Sequence, residues 1–316
     1  ATDSHNTAVG YNSGASVTTG VSNTLIGSGA GDALTDADFN VAIGQNALTT
    51  DTQGSRSTAI GRGALSTQNF SSATDSFNTA VGFAAGEAVT TGVYNTLTGA
   101  LAGDALTDAD YNVAIGGLAL SSETQGSNSV AIGYRALTTQ NNTSATNANQ
   151  TAIGTGAGAS CTTANSCVFV GHGAGAAHTT GTHSIYIGRD AGYHATPMTT
   201  GIQNIFIGSF TDGDANDTGA MIVMGYNVTS VGNNNFTFGN NTTDSNIQHG
   251  ATSISAPSDE RLKENVKDET VGLAFINELR PVTFQWKKAN DIPTDMKGYD
   301  KDSDERVMNG KYNHGF

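Results

Sequence analysis

The residues of this chain that could react or hold a metal are few and scattered. Cys161 and Cys167 flank Thr162-Thr163-Ala164-Asn165-Ser166. Two thiols across so short a loop outside the cytosol usually pair, which predicts a loop-stapling disulfide; redox or metal chemistry would need a third partner. His172 directly follows a recurring glycine, while His178 and His194 follow theirs by seven and six residues, so the last two could stack on each other. Two imidazoles make an incomplete metal site, and the histidines read as exposed polar residues. Asp212-Gly213-Asp214-Ala215-Asn216-Asp217 offers oxygens at alternate positions, as calcium loops do, but the twelfth position is Val223, where a bidentate Glu is needed. Asp36 with Asp38, and Asp108 with Asp110, would serve as a glycosidase pair only in a cleft, and otherwise read as loop acids that keep the protein soluble. No cofactor and no metal is expected.

What must position these residues is a five-residue phrase ending in glycine, plainest as Asn40-Val41-Ala42-Ile43-Gly44. It recurs with glycines at 10, 27, 44, 61, 82, 99, 116, 133, 154, 171, 188, 208, 225 and 239, mostly 17 residues apart. Intervals of 17, 17, 17 and 21 sum to 72 and repeat, so that Ala1-Thr2-Asp3-Ser4 returns as Ala73-Thr74-Asp75-Ser76. Self-similarity of this kind predicts stacked repeats. Within the phrase Val41 and Ile43 point one way and Ala42 the other, the period of a β-strand. The position before the glycine is Val9, Ile26, Ile43, Ile60 and so on to Ile207, an apolar ladder that reads, with Ala, as the inner column. A second column of alanines, Ala30, Ala47 and Ala64 among them, follows the glycine by three residues.

A strand of about five residues, a glycine turn, a short return strand and a polar loop fill one such coil of a thin parallel β-solenoid. Coils about 4.8 Å apart would stack into a rod on the order of 65 Å long. A coil this thin buries little, so chains are expected to associate side by side, as a homotrimer. The 21-residue intervals insert four residues after Thr67 and Thr139, in Gln68-Asn69-Phe70-Ser71-Ser72 and Gln140-Asn141-Asn142-Thr143-Ser144. These are spacer loops or partner-binding loops. From Val168 onward the middle position enlarges to Phe169, Tyr186 and Phe206, which fits a widening core or a thicker chain contact, or else an aromatic platform for sugars.

Charge divides the chain near Ser258. Residues 1–257 hold no Lys, four Arg and sixteen acids, a net of −12, whereas residues 258–316 hold ten basic and twelve acidic residues, a net of −2. An acidic, Lys-free shaft repels phosphate, which argues against nucleic acid and against adhesion to anionic membranes. No apolar run approaches the ~20 residues of a membrane helix, so no membrane insertion is expected. The chain opens on Ala1, not Met, which leaves targeting unread. The organisation expected is a shaft over 1–239, a neck over 240–257, and a distinct tail over 258–316.

Two resemblances follow from these residues. Phrases such as Ser129-Val130-Ala131-Ile132-Gly133-Tyr134-Arg135-Ala136 resemble the head repeats of trimeric autotransporter adhesins and of some phage fibres. The resemblance covers roughly residues 5–240 and implies a left-handed parallel β-roll packed as a homotrimer, although that family's coils are usually somewhat shorter. In the tail, Ser258-Asp259-Glu260-Arg261-Leu262-Lys263-Glu264-Asn265-Val266 and, further on, Leu279-Arg280-Pro281-Val282-Thr283-Phe284-Gln285-Trp286 resemble the opening of the self-cleaving intramolecular chaperone of endosialidase-type phage tailspikes and tail fibres. Read alone, Ser258 would cap a charged helix, Thr270 to Leu279 has helical apolar spacing, and Val282, Phe284 and Trp286 alternate as a strand. The resemblance implies an α+β segment that holds three chains together while the shaft folds. It then cuts itself off with Ser258 as nucleophile and Lys263 as general base, whose amine must be desolvated or set beside a cation such as Arg261 to be neutral near pH 7. The family's domain continues past the point matching His314-Gly315-Phe316, so the resemblance is to its N-terminal part.

Together these imply a tail fibre or tailspike shaft, in the virion and extracellular. It would attach to a host surface glycan or protein receptor, join other tail or baseplate proteins, and turn over no substrate. The alternatives are a cellular trimeric adhesin or surface filament, at the cell surface, and a polysaccharide-degrading tailspike.

Overall fold

Three residues before each glycine suffice to seed a strand, and the chain uses no more than that in most coils. The computed structural model describes residues 4–241, 244–250, 282–285, 287–294, 299–305 and 312–315. Strands at Thr7–Val9, Thr24–Ile26, Val41–Ile43 and their successors pair in parallel, with Thr7 opposite Thr24, Ala8 opposite Leu25 and Val9 opposite Ile26. The same register runs on to Gly225 opposite Gly239. The product is a fifteen-stranded sheet and an all-β parallel solenoid of about 14 turns with ~17 residues in each. Its last strand, Ser245–Gln248, reverses and pairs antiparallel with Asn235–Gly239, within the stretch expected to begin a neck. The chain divides into two compact units, Ala1–Pro257 and Ser258–Phe316, and no helix occurs among the described residues.

The inner face is the opposite of the one expected. Leu25, Ala42, Ala59, Ala80, Leu97 and Ala114 are fully buried, whereas Ile26, Ile115 and Ile153 of the supposed inner column are 37–39% exposed. Alternation fixes that two faces exist and does not say which one is inside. The coil is so narrow that its interior takes Ala or Leu, and the β-branched side chains are left on the outer face. Phe169, Tyr186 and Phe206 occupy the inward position and are fully buried, so the core widens there and these rings offer no sugar platform.

The return leg is a run of turns in most coils, where a strand was expected. Asn46 and Leu48 both lie at left-handed φ, +55° and +54°. This turns successive amides to opposite neighbours: Asn46 N–H donates back to the Ser28 carbonyl at 3.0 Å and Leu48 N–H forward to that of Ala64 at 3.0 Å. Backbone groups inside the coil are thereby satisfied without a second long strand. Bulk is traded across the interior. Where the inward strand residue is Ala42 the turn supplies Leu48, and where it is Leu25 the turn supplies Gly31, at which a Cβ would stand 2.8 Å from Leu25 Cδ2. The repeat glycines permit the coil spacing itself. Gly116 sits at φ +129°, and a Cβ there would stand 2.6 Å from the Gly133 carbonyl oxygen of the next coil.

A buried amide column joins the coils. Asn23, Asn40, Asn95 and Asn112 are fully buried. Asn40 N–H donates to Asn23 Oδ1 at 2.8 Å, and Asn40 Nδ2 donates to the Gly54 carbonyl at 2.8 Å. Asn112 N–H repeats the first bond with Asn95 Oδ1 at 2.9 Å, and Asn95 Nδ2 the second with the Ala109 carbonyl at 2.8 Å. Each side chain thus fixes the register of the next coil, because a slip would leave a buried donor and acceptor unpaired.

Candidate functional site

The thiols are structural. Cys167 takes the column position that Asn holds elsewhere: its Sγ accepts the Ser184 N–H at 3.5 Å and donates to the Gly181 carbonyl at 3.6 Å, as an Asn amide would. Cys161 is buried in the same core, and both thiols are free, so the loop-stapling disulfide expected of them is not formed in this structure. Burial pushes the Cys161 thiol well up and that of Cys167 up to about 11, which disfavours the reactive thiolate. His178 is fully buried, a correction to its reading as an exposed polar residue. Its Nε2 donates to the Gly181 carbonyl at 2.9 Å and its ring packs 5.5 Å from both Phe169 and Tyr186. Burial lowers its pKa from the ordinary 6.5, which favours the neutral ring.

His172 and His194 lie at the surface. His172 and Arg189 both approach Asp190, at 3.5 and 3.2 Å, and His194 Nδ1 lies 3.8 Å from Asp212. Asp212 is buried and accepts the N–H groups of His194 and Ala195 at 3.0 and 2.6 Å, so this acid of the calcium-like run caps a loop. Burial raises its carboxyl above the usual range, with those amides opposing the rise. Asp38 and Asp110 likewise accept backbone amides, from Val21 at 2.7 Å and Val93 at 2.8 Å. Among the described residues no group of three or more His, Cys, Asp or Glu is placed to hold a metal.

Each insertion is anchored in the core by its first residue, Gln68 or Gln140, while most of the remaining inserted residues are exposed. Ser57 and Ser129 replace Asn in the amide column, and the inserted Gln68 and Gln140 fill the space. Gln68 Nε2 donates to Ser57 Oγ at 2.8 Å and to Asp51 Oδ2 at 2.6 Å, and Gln140 Nε2 donates to Glu123 Oε2 at 2.8 Å. The buried carboxylates close the loops, Asp51 on the Gly54 amide at 2.9 Å and Glu123 on those of Gly126 and Asn142 at 2.7 and 2.9 Å. Sequence reasoning passed over Asp51 and Glu123, although their 72-residue spacing beside a Ser-for-Asn exchange was a readable signal.

Among the described residues, two apolar columns run along the surface. One is the outer ladder of the sheet, from Val9 and Ile26 to Ile207 and Met224. The other is a column in which Phe77 stacks on Tyr94 at 5.0 Å and Tyr94 on Tyr111 at 5.1 Å, with the Arg56 guanidinium between the rings of Phe39 and Phe77 at 4.9 and 5.9 Å. Tyr94 has a ring on each face, and Phe77 has a ring on one side and a guanidinium on the other.

In the second unit Val282–Gln285 pairs antiparallel with Tyr312–Gly315, so the strand expected after Pro281 is present. Asp304 meets Lys288 at 3.0 Å and accepts from Asn290 Nδ2 at 3.1 Å; hydrogen bonding to Lys288 holds its carboxyl below the usual range. Ser258, Arg261 and Lys263, and the helix expected over 270–279, lie outside the described residues. Residues 258–307 match the family model described as chaperone of endosialidase. A β-solenoid of about 14 turns followed by that chaperone match fits a tail fibre or tailspike of the endosialidase type. No curated protein and no solved structure matches the chain. In the described residues no helix is long and apolar enough to cross a membrane.

Proposed function

We propose that this chain forms the shaft of a homotrimeric phage tail fibre or tailspike that attaches the virion to a host surface. In this reading the chaperone segment gathers three chains and then cuts itself away, Ser258 attacking with Lys263 as its base. The observation that carries it is the uncovered outer ladder beside the chaperone match. β-Branched side chains repeat on it at the rise of the coils themselves, and another copy of the same solenoid has that period along its whole length. Burying such a face supplies the apolar contact that one thin coil lacks. Light scattering of the wild-type protein is expected to give the mass of three chains. Ile115→Glu together with Ile132→Glu, on the outer face, should yield monomers with the β-sheet circular dichroism retained; a trimer of unchanged stability would refute this packing. Ser258→Ala should leave one uncut band on a denaturing gel, and continued cutting would remove the dyad. Wild-type protein should pull down on bacterial envelope fractions, and failure on all of them would count against attachment.

A further inference from the structure

The shaft carries a cleft of about 270 Å³ across the coils of Gly44, Gly61 and Gly82. Its walls include Asn46, Thr50, Arg62, Ser66 and Glu87, and Gly63 forms its floor. None of these five side chains is hydrogen-bonded or ion-paired among the described residues, whereas the nearby Thr49 hydroxyl is committed to Asp32 at 2.6 Å. Phe83, 49% exposed, meets one of the lining residues, with the Arg62 guanidinium 5.4 Å from its ring centre. Gly63 makes the gap: a Cβ there would find its nearest neighbour, Glu87 Oε1, at 3.9 Å, whereas one on Gly29 in the same column would strike Asn46 Oδ1 at 2.7 Å.

The fold does not require these residues. In the copy 72 residues on, Asn46, Arg62, Gly63 and Glu87 are replaced by Leu118, Tyr134, Arg135 and Ala159, and that coil forms the same strand pairing. A guanidinium, an amide, two hydroxyls and a carboxylate with unspent hydrogen-bonding capacity, beside an exposed ring, match the closely spaced donors and acceptors of a sugar. At about 270 Å³ the space falls just short of the ~300–1,000 Å³ of drug-sized sites and suits one sugar ring. Glu87 faces the opening and Asp104 lies near enough to feel its charge, in a shaft already at −12, so an acidic sugar is disfavoured. We propose that this cleft binds a single neutral hexose or N-acetylhexosamine unit of a surface glycan. The proposal deepens the attachment reading and rests on it.

The test presents the full chain to an array of neutral hexose and N-acetylhexosamine oligosaccharides beside sialylated and uronate ones. Wild type should retain neutral glycans. Gly63→Asn should abolish retention by filling the floor; Asn46 holds the same column at φ +55°, so Asn fits this backbone, and unchanged thermal unfolding checks it. Glu87→Gln should weaken retention at least tenfold, and Tyr134→Ser should leave it unchanged. Retention of acidic glycans alone, or neutral binding that survives Gly63→Asn, overturns the assignment. Pull-down on envelope fractions with an empty array overturns the cleft while leaving attachment standing.

Discussion

Asn95→Ala tests the amide column at its centre. Asn95 is fully buried, accepts the Asn112 N–H at 2.9 Å and donates to the Ala109 carbonyl at 2.8 Å. Truncation strands one buried donor and one buried acceptor, at ~1–3 kcal/mol each, for a total of about 2–6 kcal/mol before any cavity is counted. A repeat array need not unfold in one step, so a single melting temperature would blur the effect. Residue-level amide hydrogen exchange reads it directly. The amides of Asn112, Val113 and Ala114 should exchange at least ~30-fold faster, since 1.4 kcal/mol is a factor of ten. Asn95→Ser should do nearly the same, because Ser57 and Ser129 rely on inserted glutamines that the coil of Asn95 lacks. Protection within about threefold of wild type at those amides, below ~0.7 kcal/mol, would refute the column as the device that sets register.

Gly116→Ala forces a Cβ to 2.6 Å from a backbone oxygen at φ +129°, and should cost roughly 2–4 kcal/mol in chemical denaturation, whereas Ala105→Gly in a half-buried turn should cost under ~1 kcal/mol. The pKa of His178 is lowered in the folded state, so its contribution is complete above the ordinary value of 6.5 and is lost as pH falls below it. Acid titration of wild type should therefore loosen the coils around Phe169, and His178→Phe should remove that sensitivity. The Cys167 thiol is raised to about 11 from an ordinary 9.0, so its contribution is complete below about 9 and is lost as pH climbs through about 11. Iodoacetamide at pH 8 should accordingly spare both thiols in the folded protein and label both in denaturant.

The coil length and the parallel register were legible because glycine is demanded at one point of every coil and nothing else fits there. The inside was not legible, since Val41-Ala42-Ile43 alternates equally well with either face inward. A usual preference for burying Ile over Ala picks the wrong one when the interior is this narrow. Asn40 opened the repeated phrase in plain view, yet its role depends on a partner one coil away that only stacking reveals. His178 was misread for the same reason: polarity and a loop-like setting suggest exposure, while the coil places its ring against Phe169 and Tyr186. Of the candidate dyad, the motif phrase is what the sequence offers. The cleft left no trace in sequence, because it arises from a missing side chain at Gly63 and from neighbours on three successive coils.

The duplication gives the shaft a built-in ruler. One 72-residue block spans four rungs, so each block adds ~19 Å of reach at about 4.8 Å per rung. Both faces of such a block present the same amides and glycines to whatever lies above or below. Splicing a whole block in or out would therefore lengthen or shorten the rod without new chemistry at the seams, whereas a seam placed between Ser57 and Gln68 without the rest of the block would part the two and leave the junction unfilled.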